Sequence, residues 1–357
     1  MAEALRDVLQ VCAESGGKEG ASGKFKRSTV LLRGHEASEV LGLVLQAASK
    51  GIERRTAITM AFQQDQETDE NDEDRLAEEL ADEEELMTNL VDCVGYMLKS
   101  LREESVALFD SAVGPMFAPY MAANQPATLR HNAICLFDDM IEFGGPGAQK
   151  YLGNFLPVLL RDLGGEEAWL RQACAYGIIQ VALTSPESLR PMVGQAVPTL
   201  LGLVQSPDAR DDENVLCTEN CVSALGAIAT HVLADAEQAQ LLALWLGQLP
   251  LKEDEIEARV VHRQLCDLIE QGHPAIVGNE FNKLPAVLSI FAQIFEAGNE
   301  TGAETDESLV DRPTSERMCA ILRQVQEQMP VQSVQAAWGS LSEQQMAAVQ
   351  KTMQRGF

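Results

Sequence analysis

Similar segments recur along this chain at a spacing of 41 residues, and this spacing constrains the fold more than any other feature. Pro157 and Pro198 occupy the same place in the segments FLPVLL and AVPTLL, 41 residues apart. Arg130 and Arg171, which open two further similar stretches, are also 41 residues apart. A unit of about forty residues cannot bury its apolar surface alone. The spacing therefore indicates an array in which neighbouring units pack on each other.

Each unit has the pattern of two helices. Within residues 128–143, apolar side chains form two adjacent lines at helical spacing, which is more apolar surface than a helix covered on one side needs. Apolar residues make up 46% of the chain but aromatic residues only 5%, which favours helices packed through aliphatic side chains. The period lies near the lower edge of the about 40 to 47 residues of HEAT repeats. We therefore predict an all-α fold, a HEAT-repeat α-solenoid in which antiparallel helix hairpins form a right-handed superhelix.

The predicted organisation has four parts, whose limits follow from breaker residues and changes of composition. They are a poorly ordered N-terminal segment at 1–35, an irregular helical hairpin at 36–102 with an acidic run at 65–85, an array of about five hairpins at 103–330 and capping helices at 331–357. The irregular hairpin is expected to have helices near 36–49 and 76–102. First helices of the array are expected near 104–122, 147–163, 187–205, 235–249 and 284–297. Second helices are expected near 127–143, 167–184, 213–231, 253–271 and 306–328.

The third hairpin contains an insertion. Gly177 and Gly226 occupy matching places in their second helices but lie 49 residues apart, eight more than the proline spacing. The extra residues fall at 206–214, a segment that is acidic, carries Pro207 and has no apolar periodicity. We expect a surface loop without a role in the core. Insertions in repeat arrays often lie on a functional face.

The charge of the chain restricts its partners. Asp and Glu number 54 against 27 Lys and Arg, a formal net charge of −27. Thirteen acidic residues and one basic residue, Arg75, lie within residues 65–85. A net negative charge of this size argues against direct binding of nucleic acid and favours a basic protein partner. A solvated helix or spacer is the alternative interpretation of the run.

Motifs for catalysis or metal binding are missing from the sequence. The eight cysteines include no C-x-x-C pair, and the five histidines fall in different units, so we expect neither a zinc site nor a cofactor nor an enzyme. No apolar run approaches the about 20 residues of a membrane span, and the N-terminus lacks the pattern of a secretory signal. These features predict a soluble intracellular protein without membrane insertion.

Several segments together resemble the importin-β (karyopherin-β) family of nuclear transport receptors, and specifically the C-terminal part of its importin beta-3 branch. They are Cys135–Glu142 (CLFDDMIE), Arg171–Gly177 (RQACAYG) and Glu213–Gly226 (ENVLCTENCVSALG), with LPLKED and LCDLIE following in the same order. The similarity covers roughly residues 70 to 350.

The resemblance implies the C-terminal portion of a nuclear import receptor that shuttles between cytoplasm and nucleus. Its partners would be basic cargo proteins with nuclear-localisation signals, such as ribosomal proteins and histones. Ran-GTP and pore proteins are partners by the same resemblance, although the N-terminal repeats that chiefly bind Ran have no counterpart here. A phosphatase-type HEAT scaffold, which assembles other proteins without transporting them, is the alternative.

The candidate protein-binding residues are acidic or amide side chains in the acid run, on the second helices and in the insertion. We expect the second helices to line the concave side of the superhelix, where these side chains would contact basic segments. The candidates are Glu67, Asp69, Glu70, Asp72, Glu73, Asp74, Glu83, Glu84, Glu85, Asp138, Asp139, Glu142, Asp208, Asp211, Asp212, Glu213, Glu219, Asn220, Asp267 and Glu270.

Overall fold

Every regular element in the described part of the chain is a helix. The computed structural model describes residues 2–15, 34–64, 70–278, 282–301, 308–328 and 338–354. The helices of ten residues or more are α1 (Ala2–Ser15), α2 (His35–Gln64), α3 (Glu70–Leu101), α4 (Ala127–Phe143), α5 (Leu152–Asp162), α6 (Ala168–Thr184), α7 (Val193–Val204), α8 (Val215–Ala227), α9 (Asp235–Leu246), α10 (Glu255–Glu270), α11 (Leu284–Thr301), α12 (Arg312–Gln328) and α13 (Glu343–Gln354). Shorter turns of α-, 3₁₀- and π-helix fill most of 102–121 and extend α5, α7 and α8.

The predicted helical hairpins are present. The second helices α4, α6, α8 and α10 begin within two residues of their predicted starts. Ser342 caps α13, because its hydroxyl accepts a hydrogen bond from the Gln345 N–H at 3.1 Å, and Gln345 Oε1 accepts one from the Ser342 N–H. The all-α HEAT-repeat prediction is confirmed.

The N-terminal prediction was wrong in part. Ala2–Ser15 forms helix α1 where a poorly ordered segment was expected. Leu9 and Ala13 are buried, and the Arg6 guanidinium donates to Asn89 Oδ1 on α3 at 2.7 Å. The i, i+4 spacing of Leu5, Leu9 and Ala13 is the sequence signal for this helix. The stretch 16–33, the acids at 65–69 and the first predicted capping helix at 331–337 lie outside the described residues.

The hairpin before the array is longer than predicted. Helix α2 continues to Gln64 instead of ending near residue 49, and α3 starts at Glu70 instead of 76. The acidic residues at the start of α3 favour this extension, since negative side chains stabilise the positive end of a helix.

The chain divides into two compact units, with the boundary between Ser185 and Pro186. In the first unit, α1 and α2 pack on α3, α3 packs on α4, and α4 packs on α6. Phe109, Phe137, Tyr151 and Phe155 form an aromatic cluster, in which the rings of Phe109 and Phe137 meet edge to face at 5.0 Å. Such contacts add to the stabilisation from apolar burial.

In the second unit, α8 packs against α7, α9 and α10, while α10 packs on α12 and α11 on α13. Trp245 of α9 is fully buried beside Gly226 of α8. A Cβ at Gly226 would lie 2.6 Å from Trp245 Nε1 and 2.8 Å from Gln264 Oε1. The glycine therefore permits the close approach of α8 and α9.

One stretch, Val215–Val232, is long and apolar enough by length and composition to cross a membrane. The sequence prediction had found no such run. However, 78% of the stretch is buried inside the fold, as is usual for the core helix of a repeat array.

Candidate protein-binding site

The described part of the acid run forms the first half of α3, and its side chains differ in how far they are exposed to solvent. Asp72, Asp74 and Glu85 are exposed, whereas Glu83 and Glu84 are half-buried. The side chains of Glu70 and Glu73 are not among those that the structure describes, and Glu67 and Asp69 lie outside the described residues.

Two of these glutamates pair with arginines of α2. The Arg54 guanidinium donates to both carboxylate oxygens of Glu83, at 2.5 and 2.8 Å. Arg55 Nη1 lies 2.9 Å from Glu84 Oε1. The pairs join α2 to α3, so a basic partner would have to compete with Arg54 and Arg55 for these carboxylates. Glu85 has no such arginine among the described residues.

Three carboxylates lie together on α4. Asp138 is 1% exposed, and neither of its carboxyl oxygens has a hydrogen-bond partner among the described residues. Asp138 fits against Gly177 of α6, while Asp139 fits against Gly95 of α3. A Cβ at either glycine would overlap the carboxylate, so the flanking helices leave room for these side chains only because glycine faces them.

Burial controls the protonation of this cluster. Burial, reinforced by the nearby charge of Glu142, raises the pKa of Asp139 to about 8. Burial also raises the pKa of Asp138, with repulsion from Asp139 and Glu142 adding to it, and raises that of Glu142. The Tyr176 hydroxyl donates to Glu142 Oε2 at 2.6 Å and Lys99 lies near, which partly offsets the rise at Glu142. Asp139 therefore holds its proton at neutral pH, which makes the cluster a weaker attractor for cations than three ionised carboxylates would be.

The prediction that Asp138 contacts a partner is wrong for this structure, because its buried carboxyl group offers no surface. Asp139 and Glu142 are half-buried and stay candidates.

Glu219 and Asn220 have structural roles instead of the predicted binding role. Glu219 is 1% exposed, and its two oxygens accept hydrogen bonds from the backbone N–H groups of Lys252, Glu253 and Asp254 at 2.8 to 3.0 Å. The Asn220 amide donates to Asp254 Oδ2 at 2.8 Å. These bonds fix the turn that leads into α10, so neither side chain is free for a partner.

The insertion contains four exposed acids, Asp208, Asp211, Asp212 and Glu213. The expectation that it has no core role was wrong at Ala209, which is 4% exposed and whose carbonyl accepts a hydrogen bond from the buried Thr218 hydroxyl at 2.7 Å. The loop thus packs through one residue while its carboxylates face outward.

Asp267 and Glu270 are exposed on α10 but are paired with one arginine of α12. The Arg317 guanidinium donates to Asp267 Oδ1 at 2.6 Å and to both oxygens of Glu270, at 2.7 and 3.0 Å. These hydrogen bonds lower the pKa of Glu270. Both carboxylates share this one guanidinium, so the group keeps one net negative charge, and a partner would have to compete with Arg317 for either oxygen pair.

A pocket of about 240 Å³ in the first unit was not predicted. Its wall includes Arg55 from α2, Glu84 from α3, His131 from α4 and Trp169 from α6. The His131 and Trp169 rings meet edge to face at 5.1 Å, and Trp169 remains 37% exposed. Trp169 was the available signal, since large aromatic side chains in otherwise aliphatic repeats are enriched at interfaces.

The described residues contain no group of three or more His, Cys, Asp or Glu side chains arranged to hold a metal ion.

Comparison with known proteins finds importins among the relatives of this chain. No protein-family model matches the chain. The chain is 26% identical over 274 residues to a probable importin-5 homolog of Dictyostelium discoideum, a match that covers 72% of this chain and 24% of that protein. It is 25% identical over 235 residues to importin subunit beta-3 of Saccharomyces cerevisiae, covering 65% of this chain and 21% of that protein. The chain therefore spans less than a quarter of the length of these relatives.

Solved structures show the same fold. The karyopherin Kap121p bound to RanGTP matches with a TM-score of 0.70 at 17% identity, over 99% of this chain and 28% of that chain. Kap121p bound to Nup53p and Kap121p bound to Pho4p match with TM-scores of 0.67 and 0.62, each at 17% identity over 98 to 99% of this chain and 28% of that chain. Taken with the two sequence relatives, these matches show that the chain is similar to importins and has the HEAT-repeat solenoid fold of the karyopherins.

Proposed function

We propose that this chain is the C-terminal portion of a nuclear import receptor that binds basic cargo proteins for Ran-dependent transport and shuttles between cytoplasm and nucleus. The observation that carries the proposal is the similarity to an importin-5 homolog and to importin beta-3 over 65 to 72% of the chain. A transport receptor needs binding surfaces and no catalytic site, in keeping with relatives that are transport receptors.

Electrostatics supports a basic cargo. The chain carries a net charge of −27. Exposed acids include two groups that lie close together in the sequence, one in the first half of α3 with Asp72, Asp74 and Glu85, and one in the insertion with Asp211 and Asp212. Exposed carboxylates at such density raise the local concentration of Lys- and Arg-rich segments and speed their association. Histones and ribosomal proteins have the required charge.

Ran-GTP and pore proteins are further proposed partners. Kap121p has been solved with RanGTP and with Nup53p, and this chain has the fold of 28% of Kap121p. The sequence matches cover less than a quarter of the length of these relatives.

Binding of a Lys- and Arg-rich nuclear-localisation peptide tests the proposal directly. Isothermal titration at 0.1 M and 0.5 M salt should give binding that weakens at the higher concentration, because the Debye length falls from about 10 Å to about 4 Å. Import of a fluorescent cargo into nuclei of permeabilised cells, with and without Ran-GTP, then tests the transport role. Failure to bind the peptide, together with capture of phosphatase subunits in a pull-down, would instead support the scaffold alternative.

A further inference from the structure

We propose that the pocket beside Trp169 binds the cationic side chain of one lysine or arginine of a basic partner, with the cation on the indole and next to the Glu84 carboxylate. This inference rests on the proposed function and adds to it a specific site within the first unit. The pocket is formed by α2, α3, α4 and α6, so four helices fix its shape.

The aromatic wall suits a cation. Trp169 lies in the first turn of α6, and its edge-to-face contact with His131 holds the ring while 37% of the residue stays exposed. Among aromatic side chains, tryptophan attracts cations most strongly through its electron-rich face. Burial lowers the pKa of His131, so this ring is neutral at pH 7 and does not repel a cation.

The charges around the pocket also favour a cation. Two carboxylates, Glu83 and Glu84, line the pocket; Arg54 pairs with Glu83 from outside the lining and Arg55 with Glu84 from within it, so the excess negative charge comes from the other acids of α3. Arg55 is paired with Glu84 at 2.9 Å, and the Glu84 side chain is still 40% exposed. The neighbouring acids of α3 add negative potential, which disfavours an anionic ligand.

The remaining surface suits the aliphatic part of a basic side chain. Ile52, Met87 and Leu129 contribute apolar atoms to the lining. Lysine and arginine bury their methylene stems against such surfaces while the charged end stays near polar groups.

Substitution of the two key residues with matched controls tests the site. The Trp169→Ala change should weaken binding of the nuclear-localisation peptide by roughly three- to thirty-fold, the range of a cation on an aromatic face, and Trp169→Phe by less. Leu183→Ala is the control, because Leu183 is 47% exposed on the same helix and outside the pocket. Similarly, Glu84→Gln should weaken binding more than Glu85→Gln, since only Glu84 lines the pocket.

Peptides in which each basic residue is replaced by norleucine identify the occupant. Norleucine keeps the aliphatic stem and removes the charge. Replacement of one particular basic residue should therefore weaken binding to the wild-type protein but not to the Trp169→Ala variant. Two results would overturn the pocket proposal alone. One is an equal loss of peptide affinity in Trp169→Ala and Leu183→Ala; the other is a set of norleucine peptides that all bind the wild-type protein as well as the parent peptide does. A wild-type protein that binds no basic peptide overturns the proposed function as well. Thermal unfolding of each variant confirms that the fold is kept.

Discussion

At the scale of single residues, the acids of this chain divide by what they contact rather than by their charge. The Glu219 carboxylate accepts hydrogen bonds from three backbone N–H groups, whereas the Asp138 carboxyl group is buried with no hydrogen-bond partner among the described residues. The first arrangement stabilises a turn, because charge-assisted hydrogen bonds are about twice as strong as neutral ones. The second costs stability whenever Asp138 is ionised. Sequence alone marks both residues simply as acids on second helices.

Substitution of Asp139 should change the pH dependence of stability. Its pKa of about 8 exceeds the ordinary value of 3.8, so the folded state binds a proton more tightly than the unfolded state. The resulting stabilisation is present below about pH 4 and is lost as the pH rises through 8. An Asp139→Asn variant should therefore gain melting temperature relative to wild type as the pH rises from 5 to 9.

The groups that face Asp139 define the control for this experiment. They are Asp92 and Lys99 of α3 together with Asp138 and Glu142 on its own helix, and all of them stay in place in the variant. Asp72→Asn, on an exposed part of α3, should leave the profile unchanged. Parallel melting profiles for Asp139→Asn and wild type would contradict the assignment.

His262 should produce the opposite pH dependence. Its Nε2 accepts from the Leu251 N–H at 3.3 Å and its Nδ1 lies 2.9 Å from the Leu309 carbonyl, so the neutral ring joins three segments. Burial lowers its pKa from 6.5 to about 4. The unfolded chain therefore takes up the proton first, and about 3 kcal/mol of stability is lost as the pH falls from 6.5 to 4.

Denaturant unfolding at pH 7 and pH 4.5 measures this loss. The difference between the two pH values should be smaller for His262→Gln than for wild type, although the variant is less stable at both. His231→Gln, which changes an exposed histidine, is the control. An unchanged pH difference in His262→Gln would show that other groups cause the acid sensitivity.

At the scale of elements, helix pairs are matched through glycine. Gly226→Ala should destabilise the protein by roughly 1 to 3 kcal/mol, because the new methyl group would lie 2.6 Å from Trp245 Nε1 in a packed core. Gly202→Ala should instead be stabilising by up to about 1 kcal/mol, since no atom lies within 4 Å of a Cβ there and alanine favours helix. Urea unfolding measures the change in the free energy of unfolding for each variant. Equal changes for Gly226→Ala and Gly202→Ala would argue against close packing at Gly226.

The insertion offers a second prediction at this scale. Ala209→Asp should lower the melting temperature by several degrees, because it places a carboxylate at a buried position next to the Thr218 hydrogen bond. The exposed changes Asp211→Asn and Asp212→Asn should have little effect. A melting temperature that is unaffected by Ala209→Asp would mean that the loop detaches without cost.

Most helices could be predicted because the repeat spacing and the breaker residues carry the information locally. Helix α1 was missed because it stands alone before a stretch rich in glycine, serine and lysine and lies outside the repeat spacing that identifies the other helices. The end of α2 was predicted too early because Gly51 is typical of a helix end, although the helix continues through it to Gln64. Helix ends depend on tertiary packing, which local patterns do not contain.

At the scale of the whole molecule, the distribution of charge should decide peptide affinity. The triple variant Asp72→Asn, Asp74→Asn, Glu85→Gln removes three charges from the densest acidic region without breaking the pairs of Glu83 and Glu84. It should weaken binding of the basic peptide at 0.1 M salt and have less effect at 0.5 M.

A second variant that removes the same charge elsewhere is the control. Asp211→Asn, Asp212→Asn, Glu213→Gln changes exposed acids of the insertion. A larger loss of peptide affinity in the α3 variant would locate the docking surface on α3. Equal losses of affinity in the two variants would mean that only the net charge of the protein matters. Unchanged affinity in both variants would assign these acids to solubility.

The candidate site could be predicted only in outline. The sequence located acids, but Arg54, Arg55 and Arg317 pair with four of them through contacts between residues 29 to 50 positions apart. Such pairs depend on how the helices are set against each other. The Trp169 pocket could not be foreseen for the same reason, since it draws on four helices.

The fit of Asp139 against Gly95 and of Asp138 against Gly177 bears on how this array can be cut and recombined. Helix α4 is matched on one side to the helix before it and on the other to the helix after it, so its repeat is not an interchangeable module. A chimera that joins α4 to a foreign neighbour with alanine at either glycine position would force a methyl group onto a carboxylate. Evolution would have to change the aspartate and the glycine together, and an engineer who wants a shorter protein should cut after Ser185, where the chain passes from one compact unit to the next.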